Sequence, residues 1–209
     1  MKYTPAPIAI FCYKRLTLLK KLLKSLKKNK EAKLSTVFFF SDYSQNKKDL
    51  QKINKIRQLI RNDTTFKKKI IILRAKNYGL KKNILTGIDY VFTKYRKIIV
   101  LEDDLEVSKN FLKTTNILLE KYKNNNLIST ITGYSFPNQK IQEANIKKNF
   151  FLLNRPSSWG WATWKIKWTN LKKIDISIEP STEKYGNDLE IMSIKKKSGN
   201  LSSWAFDWT

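Results

Sequence analysis

An apolar run leads directly into a group of acids at Ile98-Ile99-Val100-Leu101-Glu102-Asp103-Asp104-Leu105-Glu106. The apolar part has the pattern of a β-strand that is buried on both faces, as in a parallel sheet. Side chains alternate along a strand, so three consecutive acids indicate that the strand has ended. The turn would present one or two carboxylates at the sheet edge, where oxygen ligands suit Mg²⁺ or Mn²⁺. The alternative is that the acids open the next helix, whose dipole favours carboxylates in its first turn.

Strands and helices alternate along the chain on either side of this motif. Buried runs predict strands near residues 8–13, 36–40, 70–73, 98–101 and 127–132. Between them, apolar residues recur at helical spacing. This order predicts an α/β fold with a Rossmann-like, mostly parallel sheet flanked by helices. Such sheets bind ligands at the carboxyl ends of their strands, so the polar residues that follow each strand are the candidates for a site.

The composition excludes several kinds of active site. The 209 residues contain no His and a single cysteine, Cys12. A Ser-His-Asp or Cys-His nucleophile, a His-ligated zinc and a disulfide framework therefore cannot form within the chain. No Walker A motif and no G-x-G-x-x-G motif is present, which argues against a P-loop kinase and a dinucleotide-binding enzyme. For Cys12, which lies inside a predicted buried strand, we expect a core-filling role.

The charge is strongly positive, with 42 Lys+Arg against 17 Asp+Glu and a formal net charge of +25. Most of these cations are Lys, whereas base recognition relies on Arg, so we expect no specific nucleic-acid partner. Two interpretations remain: a compositional bias that places Lys on solvated helix faces, or a basic surface for anionic lipid headgroups or a polyanionic substrate. No signal peptide and no stretch of ~20 apolar residues is evident. We expect a cytoplasmic protein, with peripheral contact at the inner face of the cytoplasmic membrane.

Four stretches together resemble bacterial glycosyltransferases with the GT-A nucleotide-sugar fold. The resemblance is to relatives of N-acetylglucosaminyltransferase I, which overlap the family 2-like sugar transferases. The stretches are Pro7-Ile8-Ala9-Ile10-Phe11-Cys12-Tyr13-Lys14-Arg15, Asn77-Tyr78-Gly79-Leu80 with Asn83, Val100-Leu101-Glu102-Asp103-Asp104-Leu105, and Arg155-Pro156 through Trp159-Gly160-Trp161-Ala162-Thr163-Trp164. The resemblance covers essentially the whole chain.

The resemblance implies a role for each strand end. The implied nucleotide-sugar-binding residues are Arg15, Asp42, Arg74, Asn77, Gly79, Asn83, Glu102 and Asp103. Asp42 would meet the uracil or ribose, and Arg74 with Asn77 would approach the diphosphate and sugar. Asp103 would touch ribose or metal. Asp104 would be the direct ligand of Mn²⁺ or Mg²⁺, which would neutralise the charge that builds on the departing nucleoside diphosphate.

The chain changes character after residue 132, where regular alternation stops and tryptophans concentrate. The resemblance implies a nucleotide-sugar-binding half at 1–132 and an acceptor-side half at 133–209, packed together as one compact domain that ends earlier than its relatives. For the general base on the acceptor hydroxyl, Asp207 is the first candidate and Asp188 the second. Trp159 and Trp161 are candidates for an acceptor platform, because aromatic rings stack on sugars, but an aromatic core explains them as well.

The expected function is that of a metal-dependent glycosyltransferase, transferring a hexosyl or N-acetylhexosaminyl group. It would move the sugar from a UDP-sugar to a hydroxyl of a glycan or lipid-linked acceptor, with inversion. The setting implied is bacterial surface polysaccharide synthesis, such as that of lipopolysaccharide or capsule, with N-acetylglucosamine as the sugar. The alternative expectation is a glycosyltransferase-like binding module without catalysis, or an inactive fragment.

Overall fold

The computed structural model describes residues 3–134 and 157–172, together with Phe150, Leu152 and Ser198. Its strands are β1 (Ile8–Cys12), β2 (Thr36–Ser41), β3 (Lys68–Leu73), β4 (Lys97–Glu102), β5 (Thr130–Thr132) and β6 (Trp161–Trp164). Its α-helices are α1 (Leu16–Lys27), α2 (Leu50–Asn62), α3 (Leu80–Phe92), α4 (Phe111–Lys121) and α5 (Lys165–Leu171). Short 3₁₀ helices occupy Lys30–Leu34 and Lys47–Asp49.

The described strands form one sheet in the order β3-β2-β1-β4-β6-β5. The pairs β1–β2, β2–β3 and β1–β4 are parallel, and Ile8 lies opposite both Val37 and Ile99. The crossovers between these strands run through helices, as parallel pairing requires. The predicted α/β fold with a mostly parallel sheet is therefore confirmed. The strand that precedes the acidic motif, β4, lies inside the sheet between β1 and β6.

Helices cover both faces of the sheet because successive strand residues point to opposite sides. Ile10 and Phe39 belong to a hydrophobic cluster with residues of α1, α2 and α4. Their neighbours Phe11 and Phe40 belong to a second cluster, which α3 and α5 cover. The leucines of α1 that predicted a helical stripe are buried as expected: Leu19, Leu22, Leu23 and Leu26.

Helix α3 approaches the sheet closely at Gly87. A Cβ on this residue would lie 2.5 Å from Cε1 of Phe11. Phe11 is itself held by stacking on Phe40, with ring centroids 4.9 Å apart. The absence of a side chain at Gly87 therefore sets how near α3 lies to β1.

The sheet departs from the prediction at its antiparallel end. The fifth strand was predicted at 127–132, but β5 contains Thr130–Thr132 alone, and Leu127 is 93% exposed. Strand β6 was not predicted, and it lies antiparallel between β4 and β5. All four residues of β6 are buried, so its sequence has no alternation that would have revealed a strand. Through β6, the two predicted halves of the chain share one sheet.

Candidate functional site

A cleft of about 140 Å³ opens at the carboxyl ends of β1, β2 and β4. This is the sheet edge at which parallel α/β proteins bind ligands. The described residues that line the cleft are Phe11, Cys12, Tyr13, Arg15, Asp42, Gln45, Asn77, Gly79, Leu80, Asn83, Glu102 and Asp103. The structure thus places all of the expected nucleotide-sugar residues around one cavity, with the exception of Arg74.

Asp103 is the buried centre of the acidic motif, with 1% of its surface exposed. Its Oδ2 accepts a hydrogen bond from the Tyr13 backbone N–H at 3.1 Å, and its Oδ1 accepts one from Nε of Arg15 at 2.8 Å. Nη2 of Arg15 lies 2.6 Å from the same Oδ1. These contacts tie the end of β4 to the end of β1, so Asp103 holds the backbone and the guanidinium that border the cleft.

The charged groups of this cluster shift one another's pKa values. Burial raises the pKa of Asp103 above its usual range, while the Tyr13 N–H and the Arg15 guanidinium act in the opposite direction. Burial also tends to lower the pKa of Arg15, but the carboxylates of Asp103 and Asp104 outweigh that effect and raise it. Arg15 is therefore a permanent cation at the mouth of the cleft.

Asp104 is the more exposed acid, with 41% of its side chain accessible. Nη1 of Arg15 lies 2.8 Å from its Oδ2, so one guanidinium bridges Asp103 and Asp104. Within the described ranges no group of three or more His, Cys, Asp or Glu side chains could hold a metal ion. The oxygen chemistry of Asp104 suits a hard divalent cation, but the described acids provide no closed cage. A cation here would need further oxygens from a ligand such as a diphosphate.

Asp42, which follows β2, is 4% exposed and accepts three backbone hydrogen bonds. Its Oδ1 accepts from the N–H groups of Tyr43 and Tyr78, both at 2.9 Å, and its Oδ2 accepts from Gly79 N–H at 3.0 Å. The carboxylate therefore fastens the loop after β3 to the end of β2. Gly79 has a φ of +72°, a left-handed conformation that glycine adopts without strain.

Further hydrogen bonds join the loops that follow β2 and β3. Nδ2 of Asn77 donates to the Tyr43 carbonyl at 2.6 Å, and Nε2 of Gln45 donates to Oδ1 of Asn77 at 3.3 Å. The Gln45 backbone N–H lies 3.3 Å from the Tyr13 hydroxyl. Gln45 was missed in the sequence because its loop carries no motif, and only its position after a predicted strand pointed to it.

Arg74 does not line the cleft, and its side chain bonds to residues of α3. Its Nε donates to Oδ1 of Asn83 at 3.0 Å, and Nη2 donates to Oγ1 of Thr86 at 2.9 Å. Its guanidinium also lies 4.5 Å from the ring centroid of Tyr78. These contacts hold α3 against the loop after β3. Arg74 thus orients Asn83, which does line the cleft.

The two candidate acceptor tryptophans lie in different environments. Trp161 is 3% exposed and packs within the second core cluster, as in the core interpretation that the sequence left open. Trp159 is 48% exposed, and its ring lies 4.6 Å from that of Tyr134. Trp161 pairs with Val100 and with Thr132, so Trp159 and Tyr134 both fall at the edge of the sheet that carries the cleft. The candidate bases Asp207 and Asp188 lie outside the described residues.

The fold of this chain was compared with solved structures. A mannosyltransferase, PcManGT from Pyrobaculum calidifontis in complex with GDP-Man and Mn²⁺, matches 81% of this chain and 47% of its own with a TM-score of 0.57 and 10% identity. The chain thus spans about half the length of that protein. S. aureus TarS matches 56% of this chain and 20% of its own, with a TM-score of 0.42 and 15% identity. The likeness to the mannosyltransferase concerns the fold alone.

The family comparison concerns most of the chain. A comparison with curated protein sequences found no match. Residues 8–179, by contrast, match the family described as Glycosyl transferase family 2. The matched range includes every described residue of the cleft and all six described strands. The family 2 part of the sequence resemblance is thereby confirmed, while the relation to N-acetylglucosaminyltransferase I stays a prediction. The chain belongs to glycosyl transferase family 2.

Proposed function

We propose that this chain transfers a sugar from a nucleotide-diphosphate sugar to a hydroxyl of a glycan acceptor, with the cleft as its donor site. The observation that carries the proposal is the joining of Arg15, Asp103 and Asp104 at the carboxyl ends of β1 and β4. A cation held between two carboxylates beside a polar cavity suits a ligand that carries both hydroxyls and phosphates. Membership of a glycosyltransferase family supplies the reaction class.

The residues of the cleft would have different roles in binding the donor. Asp103 and Asp42 make the walls, because their oxygens hold backbone N–H groups of the surrounding loops. Arg15 has a planar guanidinium that suits phosphate oxygens. Asn77 and Asn83 bring amide groups that can bond to sugar or ribose hydroxyls. We propose that Arg15 faces the diphosphate and that Glu102 lies on the ribose side.

Asp104 is the residue that we propose as the protein ligand of a divalent cation. Mn²⁺ or Mg²⁺, when bound with the donor, would act as a Lewis acid for the leaving nucleoside diphosphate. Asp104 fits this role because its carboxylate is accessible and close to the cleft. Arg15 contacts the same carboxylate of Asp104. The diphosphate would therefore have to attract Arg15 away from Asp104 so that the carboxylate could bind the cation. Asp207, or Asp188 as the second candidate, would accept the proton of the attacking hydroxyl with inversion at the sugar.

The proposed donor is a UDP-sugar, most simply UDP-N-acetylglucosamine. The mannosyltransferase with the similar fold is described with GDP-Man, so a GDP-sugar is the natural comparison in any binding assay. We propose that Trp159 and Tyr134 contact the acceptor, because both lie at the edge of the sheet that carries the cleft. Measurement of donor affinity with UDP, GDP and their sugars decides the nucleotide.

The test of the donor site compares Asp104→Ala with Glu106→Ala. Glu106 is exposed and lies beyond the strand-end motif, so it serves as a matched control. Titration calorimetry with UDP should show Mn²⁺-dependent binding that Asp104→Ala abolishes and Glu106→Ala retains. Equal UDP affinity with and without Mn²⁺ in the unaltered protein would count against the metal role. Donor binding without hydrolysis or transfer would favour the non-catalytic alternative.

The setting that we propose is the surface of an anionic membrane, where the protein would extend a lipid-linked glycan such as lipopolysaccharide or capsule. The net charge of +25 supports this placement. Among the described helices, none has both the length and the apolar character needed to cross a bilayer. A contact with the membrane by these helices would therefore be peripheral.

A further inference from the structure

A second and larger cavity, of about 640 Å³, lies at the opposite edge of the sheet from the cleft. Its walls come from the segment before β1, the start of β4, the end of β6 and the facing ends of α4 and α5. The apolar residues among those that line it are Pro5, Pro7, Leu119, Trp164 and Ile166. We refer to this cavity as the amino-edge groove.

Basic side chains surround the amino-edge groove. Arg96, Lys97, Lys123 and Lys165 all contribute to its lining. Glu120 is the acid in the described lining, and its carboxylate lies 2.5 Å from Nζ of Lys123 and 3.9 Å from Nζ of Lys97. One carboxylate against four cations gives the described lining of the groove a net positive charge.

Apolar side chains are also exposed near this edge. Ile166, in the lining, is 61% exposed, and Leu127, just before β5, is 93% exposed. Phe150 is 47% exposed, and its ring centroid lies 5.6 Å from Nζ of Lys121, at the end of α4. Exposed apolar side chains beside a basic rim suit a partner that carries both hydrocarbon and negative charge.

We propose that the amino-edge groove binds an anionic phospholipid of a bilayer surface. The lipid's phosphate would lie on the basic rim, and its apolar part would lie against Pro5, Trp164 and Ile166. The charge balance selects an anionic ligand, and the apolar floor selects one that also carries hydrocarbon. This inference deepens the membrane contact proposed above by naming its surface, and it does not depend on sugar transfer. The cleft, at the other end of the strands, would then face away from the bilayer.

The experiment is co-sedimentation with vesicles of phosphatidylcholine alone and of phosphatidylcholine mixed with phosphatidylglycerol, at low and high salt. We expect binding to the anionic vesicles at low salt. Arg96→Gln combined with Lys165→Gln should weaken it about 25-fold, because each basic residue near an anionic surface contributes about 5-fold. Lys20→Gln combined with Lys24→Gln, on the exposed face of α1, removes the same charge from residues outside the lining of the groove and should retain near-normal binding.

The apolar part of the site is tested by Ile166→Ser, which should weaken vesicle binding without any change in net charge. Equal losses in the groove and α1 variants would overturn the proposal, because they would indicate a diffuse attraction. Absence of binding to anionic vesicles at low salt would overturn it as well, as would concentration-dependent self-association that the groove variants abolish. UDP affinity, measured in the same variants, should be unchanged, so failure of the groove and failure of the donor site remain distinguishable.

Discussion

Removal of the Asp42 carboxylate should loosen the loop after β3, which lines the cleft. In Asp42→Ala, the N–H groups of Tyr43, Tyr78 and Gly79 lose their acceptor. A buried donor without an acceptor costs about 1–3 kcal/mol. These loops are only partly buried, and water can replace some of the lost bonds, so we take the lower end of that range for each. The expected loss of unfolding free energy is about 2–4 kcal/mol, with the larger loosening at residues 77–80.

Chemical denaturation measures the loss, and amide hydrogen exchange locates it. Asp42→Asn should fall between the wild type and Asp42→Ala, since one amide oxygen can still accept while the NH₂ group faces a donor. Asp104→Asn is the control, because it breaks an exposed ion pair worth about 0–1 kcal/mol. Unchanged protection of the Tyr78 and Gly79 amides in Asp42→Ala would refute the view that this carboxylate holds the loop.

Two other substitutions test the surroundings of the cleft. Lys14 holds the pKa of Asp49 below its ordinary value of 3.8, so the stabilising contribution of Asp49 is present above that pH and is lost as the pH falls through the lowered pKa. The stability difference between the wild type and Asp49→Asn should therefore vanish in acid-denaturation curves as the pH falls well below 3.8; a constant difference would contradict the ion pair. Gly87→Ala places a Cβ 2.5 Å from the Phe11 ring. The overpacking should cost about 1–3 kcal/mol, which outweighs the roughly 1 kcal/mol of helix propensity gained, so we expect a lower melting temperature. A raised melting temperature would show that the ring moves freely.

The parallel half of the sheet could be predicted from the sequence because its strands are short apolar runs bounded by polar residues. The predicted strand at 36–40 corresponds to Thr36–Ser41, and the one at 98–101 corresponds to Lys97–Glu102. Both are buried on two faces between helices, so the residues of each run are apolar except for Thr36, which is only partly buried. The limits shifted by a residue or two because polar residues at strand ends still pair in the sheet.

The antiparallel end could not be predicted because two constraints act on the same residues. Trp161–Trp164 must pair with β4 and β5, and its side chains must also fill both cores. Trp164 contributes to one cluster, while Trp161 packs with the other. A tryptophan-rich string with these contacts has the same appearance in the sequence as a surface for stacking on sugars, and burial alone separates the two.

The position of the candidate site was predictable, but the orientation of its side chains was not. Topology alone brings Asp42, Asp103 and Asn77 to one edge of the sheet. Whether a carboxylate faces a ligand or a backbone N–H depends on loop conformation, which local sequence does not specify. Arg74 illustrates this, since the resemblance implied that it approaches the diphosphate and sugar, and in the structure its side chain bonds to α3.

The acids near the cleft differ in burial, and in the proposed site this difference would distinguish supporting residues from the cation ligand. Asp42 and Asp103, at 4% and 1% exposure, use both of their oxygens on loop N–H groups and on Arg15. A buried carboxylate whose oxygens already accept hydrogen bonds gains little from binding a cation, because the cation would have to displace those hydrogen bonds. Asp104 is accessible and is held by an exposed guanidinium alone among its described contacts. A diphosphate can compete for that guanidinium, so the arrival of the donor and the release of Asp104 for a cation would be one linked event.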